Sequence, residues 1–406
     1  MKRLLLLVVS FLSLVFNLIA GDIYQKETIK LIPDNAFAQG NDWSKLFIAN
    51  LPTSPKPNME THEYLALAPD NTIYVAEYNN LAAGKVFRFA ADGTLLGPKA
   101  DMSGKDNAGV QARKPNVLAV NDRNELWISD YGGLDRCDRQ GNVLAKTRVD
   151  HAITDLLFLK DGALIISGYV VTSQEANPIR DSVSLLNTQT ATETVIASFN
   201  KKMFIITLKL DGGKGGILST GMQRPGLGEL HIAGTPEGKL VVGHSDSPEI
   251  LFYSSEGRKI GGFTLPIQRP ALNPEQRAQA VQRISQGFDS LAASKRVSTD
   301  EIERAREKLK DYPTALPYYS NLLIDDQGNI LVFLTNTDNS ANVEFIAFSH
   351  SGKPLGTCRF TLPQGVSLRV EGRKQMAIRD GWLYALIHKN VSGKQQVQLA
   401  RFKLEY

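Results

Sequence analysis

The stretch PNVLAVNDRNELWISDYGGLDRCDRQG, residues 115–141, contains three short β-rich runs separated by turns. Residues 117–120 form the first run, and the polar residues 121–124 separate it from a second run, 126–129, which carries a tryptophan. Two glycines precede the third run, and a Gln-Gly pair marks the next turn. One small sheet of this kind buries too little apolar surface to be stable alone. The pattern therefore predicts several such sheets packed side by side.

The same pattern recurs along the chain. Aligned on the apolar residue that opens the second run, six copies are centred on Ile73, Leu126, Leu164, Leu240, Ile330 and Leu383. Most copies continue into a third run and a polar turn, which is the strand order of a four-stranded propeller blade. The sequence thus predicts an all-β fold, a six-bladed β-propeller. The run KMFIITLKL, residues 202–210, is an added strand or a degenerate blade, so a seven-bladed ring stays open.

Two intervals between copies, from Leu164 to Leu240 and from Leu240 to Ile330, are far longer than the roughly 40 to 50 residues of an ordinary blade, so they contain insertions. One insertion, 273–311, is predicted to form two amphipathic helices, because Asn273 and Ser298 are suitable N-caps. We expect these helices either to pack on the flank of the propeller or to cover one face of its channel. The propeller spans 59–406, and the N-terminal segment 21–58 contains a possible ring-closing strand at 27–32.

The N-terminus has the pattern of a secretory signal peptide. Lys2 and Arg3 precede an apolar run, 4–20, and small residues at Ala20 and Gly21 suggest cleavage between them. Residues 1–20 are therefore predicted to be a signal peptide, and the mature protein to be secreted or periplasmic, with no membrane span after cleavage. An uncleaved N-terminal anchor is the alternative.

Composition and charge exclude some classes of partner. The chain has 406 residues, of which 42% are hydrophobic and 22% charged, as in ordinary globular proteins. A formal net charge of +4 gives no reason to expect a nucleic-acid partner. The two cysteines, Cys137 and Cys358, are expected to pack as small buried hydrophobic residues. Since a nucleic-acid partner is not expected, we expect the protein to bind an unknown protein or a small-molecule ligand.

The blade motifs resemble those of a known group of propellers. WISDYGGLDRCDRQGN and YVAEYNNLAAGKVFRFAADGTLLG are similar to NHL-type blades. From about Met59 to Tyr406 the chain resembles the six-bladed propellers of the NHL, SMP-30 (gluconolactonase-like) and TolB-like superfamily. LPYYSNLLIDDQGNILVF, which follows the predicted helices, is similar to the fifth blade of exported bacterial propellers without assigned activity. Such motifs imply a fold more firmly than an activity.

In a propeller the first strand of each blade lines the central channel. Counting ten residues back from each alignment position, and including two neighbours, gives the channel-lining candidates for ligand binding Glu63, Asn116, Thr154, Glu229, Asn321 and Arg373. The calcium-dependent lactonases of the superfamily hold Ca²⁺ with such oxygen ligands, and the resemblance places Glu63 and Asn116 at two of those positions. Thr154 and Leu230 depart from the ligands expected in the next two blades.

Two main functional hypotheses follow. No complete catalytic set is present, so the first is a non-enzymatic ligand- or protein-binding propeller without a firm cofactor. The second is a Ca²⁺-dependent lactonase or esterase-like hydrolase in the central channel, with Glu63 and Asn116 as metal ligands. A quinone-dependent sugar dehydrogenase ranks last, because its His and Arg pattern is not found. Asp70, Asp130, Asp161 and Asp325 are assigned to turns rather than to chemistry.

Overall fold

The computed structural model describes most of the chain as a ring of small antiparallel sheets. The described residues are 29–41, 61–79, 84–101, 117–130, 133–171, 179–201, 205–209, 217–221, 228–293, 297–335, 342–368, 374–391 and 394–406.

Six sheets form the ring, and five of them contain four strands in sequence order. In chain order the strands are β1 (Lys30–Pro33); β2 (Thr61–Leu67), β3 (Ile73–Asn79), β4 (Lys85–Phe89) and β5 (Leu95–Asp101) in blade 1; β6 (Val117–Val120), β7 (Leu126–Asp130), β8 (Gly133–Cys137) and β9 (Val143–Thr147) in blade 2; β10 (Ala152–Phe158), β11 (Leu164–Val171), β12 (Ile179–Asn187) and β13 (Thr192–Asn200) in blade 3; β14 (Ile205–Lys209) and β15 (Ile217–Gly221) in a hairpin; β16 (Leu230–Gly234), β17 (Leu240–His244), β18 (Glu249–Tyr253) and β19 (Lys259–Thr264) in blade 4; β20 (Tyr319–Ile324), β21 (Ile330–Leu334), β22 (Asn342–Phe348) and β23 (Pro354–Thr361) in blade 5; and β24 (Val366–Leu368), β25 (Met376–Arg379), β26 (Trp382–Val391) and β27 (Lys394–Glu405) in blade 6. The predicted six-bladed propeller is confirmed.

Short polar side chains shape the turns between the first two strands of the blades. Asn121 Oδ1 accepts hydrogen bonds from the backbone N–H groups two and four positions later, at 3.1 and 2.9 Å. Asp325 Oδ1 makes the same pair at 2.9 and 2.8 Å. Asp70 and Asp161 each accept the N–H two positions later. These bonds replace strand hydrogen bonds that the turn cannot make, and they confirm the structural role predicted for Asp70, Asp161 and Asp325. Asp130 is instead the last residue of β7, where it lies opposite Gly133.

Blade 6 is completed by the N-terminal strand. Strand β1 pairs antiparallel with β27, where Lys30 lies opposite Glu405. We call this pairing of β1 with β27 the seam. Beside it, the guanidinium of Arg401 lies 4.6 Å from the centroid of the Phe37 ring and 4.3 Å from that of Trp382. Arg401 Nε also donates to Asp34 Oδ2 at 3.0 Å. The first and last strands are therefore joined by main-chain and side-chain bonds together.

The predicted helical insertion is also present, as α1 (Pro274–Ala293) and α2 (Thr299–Lys308). Asn273 Oδ1 accepts the N–H of Glu275 at 2.8 Å, and Ser298 Oγ accepts that of Glu301 at 3.3 Å, so both predicted N-caps form. Strands β14 and β15 form a two-stranded sheet of their own, so the described part of the predicted run, 205–209, belongs to a hairpin and adds no seventh blade. The hairpin and the helices share a small core that contains Leu208, Phe288, Val297, Ile302, Ala305 and Leu309.

Both insertions lie at the same face of the ring. Strand direction alternates within an antiparallel blade, so every link from an outer strand to the next inner strand is made at one face. The hairpin lies in the link from blade 3 to blade 4, and the helices lie in the link from blade 4 to blade 5. We call this side the insertion face. Each inner strand begins there.

Both cysteines are buried and neither forms a disulfide, as expected. Burial raises the pKa of Cys137 to about 12, so its thiol stays protonated and behaves as an apolar group. Neither α1 nor α2 is long and apolar enough to cross a membrane, and the described chain contains no other helix that could do so.

Candidate functional site

The channel contains a cavity of about 410 Å³ that inner strands of all six blades line. The strand registers place equivalent residues of the blades at the same depth. The first apolar tier, nearest the insertion face, comprises Leu65, Leu118, Leu156, Ile232, Leu322 and Met376. The second apolar tier comprises Ala66, Ala119, Leu157, Ala233, Leu323 and Ala377. The third comprises Leu67, Val120, Phe158, Gly234, Ile324 and Ile378.

The next tier toward the insertion face is polar, and we call it the mouth tier. Asp155, His231 and Asn321 line the cavity there from blades 3, 4 and 5. Lys374 also lines the cavity, from the segment that leads into β25. None of the described residues of α1 and α2 lines the cavity. The cavity therefore combines apolar tiers with a charged end.

Two β-bulges position the mouth residues of blades 3 and 5. The register of β10 with β11 shifts between Ile153 and Asp155, and that of β20 with β21 shifts between Tyr319 and Asn321. After each shift a short side chain bonds to the backbone of the following residue. Asp155 Oδ1 accepts the N–H of Leu156 at 2.7 Å, and Asn321 Oδ1 accepts the N–H of Leu322 at 2.8 Å. Bulges commonly redirect side chains in this way beside functional sites.

An ion pair crosses the channel within this tier. Lys374 Nζ lies 2.7 Å from Asp155 Oδ1, although blades 6 and 3 are opposite each other in the ring. The same ammonium donates to the carbonyl oxygen of Leu156. Burial raises the pKa of Asp155 above its ordinary value, and Lys374 only partly opposes this rise. The carboxylate has thus lost much of its hydration and is held by one cation.

A second cluster lies where the cavity reaches the insertion-face ends of blades 3 and 4. Asp181 and Lys201 both line the cavity, and Lys201 Nζ lies 3.2 Å from Asp181 Oδ1. His244 Nε2 lies 3.3 Å from Asp181 Oδ2. The other ring nitrogen, Nδ1, accepts the N–H of Asp246 at 3.4 Å, so His244 donates its Nε2 proton to Asp181. The ring also stacks on Phe199, which makes His244 a support for the aspartate.

The sequence-predicted residues are placed as follows. Glu63 is 1% exposed, and its Oε2 accepts a hydrogen bond from Gln375 Nε2 at 3.2 Å. Thr154 lines the cavity, and its hydroxyl lies 3.1 Å from that of Ser167. Glu229 and Asn321 also line the cavity. Asn116 and Arg373 lie outside the described residues.

A metal centre would need several ligands close together. The described residues contain no group of three or more His, Cys, Asp or Glu side chains that could hold a metal ion. Glu63 is the only member of the predicted calcium pair whose surroundings are described, and Gln375 shares its hydrogen bonding.

Sequence reasoning missed the ion pair because its two residues are distant in sequence. Lys374 lines the channel and contacts Asp155 of the opposite blade, which no local pattern around either residue indicates. Counting ten residues back selected Thr154, and the bulge places the next residue at the mouth. No local pattern in one sequence identifies such a bulge. The Asp181–Lys201 pair likewise depends on long-range packing.

No family model and no curated protein matches the chain. Solved structures do match it. A protein of unknown function from Dyadobacter fermentans has 8% sequence identity and a TM-score of 0.50, with 93% of this chain and 99% of that chain covered. A member of the DUF4221 family from Bacteroides vulgatus has 10% identity and a TM-score of 0.48, covering 94% and 99%. A gluconolactonase from Xanthomonas campestris has 12% identity, a TM-score of 0.40 and 86% coverage of each chain.

Gluconolactonases and proteins without assigned activity are thus both among the similar structures, as the blade motifs predicted. At such low identity the similarity concerns the fold alone. It extends over nearly the full length of the Dyadobacter protein and agrees with a single propeller. The function of the channel must therefore be argued from its own residues.

Proposed function

We propose that this protein is a non-enzymatic binding protein that takes a small organic molecule into the propeller channel from the insertion face. The observation that carries the proposal is the 410 Å³ cavity, which ends in the mouth tier. Ligand sites typically have volumes of roughly 300 to 1,000 Å³ and combine apolar walls with a few convergent polar groups. The channel has this composition.

Binding is favoured over catalysis by how the ionisable groups are engaged. Asp155 is paired with Lys374, and Asp181 is paired with Lys201 and held by His244. Both carboxylates are thus held by partners within the protein, and both ring nitrogens of His244 are engaged, one by Asp181 and one by the backbone N–H of Asp246. Such fixed groups are suited to recognition of a charged or polar ligand.

Filling the cavity tests this proposal. Ala233→Leu and Ala377→Leu would each add bulk to the second apolar tier, and Ala145→Leu on the exposed outer strand of blade 2 is the matched control. Each protein is screened by thermal shift against a library of amino acids, organic acids, sugars and lactones. We expect a ligand that stabilises the wild type and the control, and that loses its effect on both channel variants. A library that stabilises none of these proteins, or stabilises all equally, would reject the channel as a site.

The same compound library also tests whether the protein is a hydrolase. Each stabilising compound and each lactone is incubated with the protein, with and without Ca²⁺, and analysed by nuclear magnetic resonance for conversion. We expect the compounds to be recovered unchanged. Calcium-dependent hydrolysis that is lost in Glu63→Gln, but retained in the exposed variant Glu405→Gln, would replace binding by catalysis as the function.

Export remains part of the proposal. A signal peptide at residues 1–20 would deliver the binding domain to the periplasm or the medium. N-terminal sequencing of the protein from the extracytoplasmic fraction should begin at Gly21. An intact Met1 in a membrane fraction would support the uncleaved anchor instead.

A further inference from the structure

We propose that the channel ligand is a small zwitterion, with an ammonium and a carboxylate on the same carbon and an apolar side chain, as in a free aliphatic amino acid. This inference rests on the proposed function and specifies its ligand class. Three features support it: the opposite charges of the mouth tier, polar atoms there that lack partners, and the apolar tiers below.

The first feature is the balance of charge. Asp155 and Lys374 form a pair that is 14% and 26% exposed, so each charge is partly removed from water. A ligand with one charge would satisfy one partner and leave the other less well compensated, which is costly in a poorly hydrated site. A zwitterion that enters between the two can replace one ion pair by two, and it brings no net charge into the channel.

The second feature is unused hydrogen-bonding capacity. Asp155 Oδ1 is occupied by Leu156 N and Lys374 Nζ, whereas its Oδ2 has no hydrogen-bond partner within the described chain. Asn321 is 8% exposed and uses Oδ1 to accept Leu322 N, while its Nδ2 donor has no partner among the described residues. The mouth therefore offers an anionic acceptor for an ammonium, and both an amide donor and an ammonium donor for a carboxylate.

The third feature is the second apolar tier, two residues deeper than these groups. Leu157 and Leu323 belong to it and are only partly buried, whereas Leu156 and Leu322 pack into the cores between blades. A ligand whose charged end is held at the mouth would place its remaining part against this ring. Apolar contact there favours an aliphatic side chain over a sugar, whose hydroxyls would lack partners. The volume of the cavity accommodates such a molecule.

Calorimetry with three related probes tests the inference. L-Leucine carries both charges, 4-methylpentanoic acid carries only the carboxylate, and 3-methylbutylamine carries only the ammonium. We expect leucine to bind the wild type at least about tenfold more tightly than either analogue. Equal or tighter binding of an analogue would overturn the inference.

Three variants assign the contacts. Asp155→Asn should weaken leucine and the amine by about tenfold or more, and Lys374→Met should weaken leucine and the acid similarly. Asn321→Asp keeps the oxygen that accepts Leu322 N but replaces the amide donor by an acceptor, so it should weaken leucine without loss of folding. The exposed variants Asp150→Asn and Lys160→Met are matched controls and should bind like the wild type.

Different experimental results would reject the channel as a binding site and the zwitterion as its ligand. If the library contains a sugar or lactone whose effect is lost on cavity filling, and leucine does not bind, the channel is a binding site and the zwitterion assignment is wrong. If neither leucine nor any library compound responds to cavity filling, both proposals are wrong. Circular dichroism of every variant verifies folding, so that lost binding is not mistaken for lost structure.

Discussion

Asp155 and Lys374 belong to opposite blades, yet their carboxylate and ammonium groups lie 2.7 Å apart. A bulge turns Asp155 into the mouth tier, and the long side chain of Lys374 reaches both this carboxylate and the carbonyl of Leu156. The pair thus joins two blades that are not neighbours in the ring. Because both residues line the cavity, the same contact contributes to stability and defines the proposed binding site.

Removal of the cation alone should destabilise the fold. Lys374→Met leaves the poorly hydrated Asp155 carboxylate without its cation, and we expect the free energy of unfolding to fall by about 1–3 kcal/mol, because the pair is only partly buried. The double variant Asp155→Asn, Lys374→Met removes both charges and should recover most of the loss. Urea denaturation of the wild type, Asp155→Asn, Lys374→Met and the double variant measures the coupling energy between the two side chains. Additive losses would show that the two groups do not interact.

The raised pKa of Asp155 predicts a specific pH dependence. The ordinary pKa of an aspartate is 3.8, and the folded protein holds the proton more tightly than this. Asp155 therefore favours folding below the unfolded pKa, and this contribution is lost as pH rises through the folded pKa. The stability of wild type relative to Asp155→Asn should accordingly fall as pH is raised from about 3.8. Denaturation from pH 3.5 to 7, with Asp150→Asn as control, measures the difference; a rise with pH would contradict it.

Arg401 should be needed for the seam between β1 and β27. Arg401→Lys loses the planar contacts with the rings of Phe37 and Trp382 and the forked bonding to Asp34, so we expect a loss of about 1–3 kcal/mol in the free energy of unfolding. Arg359→Lys, in an exposed pair with Glu344, is the matched control and should change it by less than about 0.5 kcal/mol.

The same seam predicts an acid-sensitive contribution. The hydrogen bond from Arg401 lowers the pKa of Asp34, so this aspartate stabilises the fold above its unfolded pKa and loses the contribution as pH falls through the folded pKa. The destabilisation caused by Arg401→Lys should therefore shrink in acid. A penalty that is independent of pH would assign the effect to the aromatic contacts alone.

Glycines in two turns give a test of blade packing. Gly352 and Gly381 have φ values of +81° and +72°, so alanine is strained at both positions. A Cβ on Gly352 would lie 2.7 Å from Cβ of Phe263 in the neighbouring blade, whereas one on Gly381 would have no atom within 4 Å. Thermal unfolding should therefore show a larger loss for Gly352→Ala than for Gly381→Ala, by about 1 kcal/mol or more. Equal losses would mean that the turn can move away from blade 4.

The fold was predictable because its determinants are local. Alternating apolar runs, the Asn121 and Asp325 turns, and the caps Asn273 and Ser298 act within a few residues, so each can be recognised in one sequence. The hairpin at 205–221 was the main ambiguity. A short β-rich run indicates a strand, but its partner strand decides whether it joins the ring or a separate sheet.

The candidate site was less predictable, since it depends on residues from several blades. Glu229, Thr154 and Asn321 were selected and line the cavity, but their importance depends on neighbours that only the ring brings near. The contact of Lys374 with Asp155 joins positions far apart in the chain, and bulges alter the count of residues along β10 and β20. Charge and spacing in a single sequence carry no information about either.

The pairing of β1 with β27 has a consequence for biosynthesis. The ribosome releases β1 before any blade and β27 after all the other strands. Blades 1–5 can therefore assemble in the order of translation, while β1 waits without its partner until β27 has been made. A nascent chain arrested before β27 would present an unfilled edge to chaperones and proteases, so closure of the ring distinguishes a completed propeller from an incomplete one.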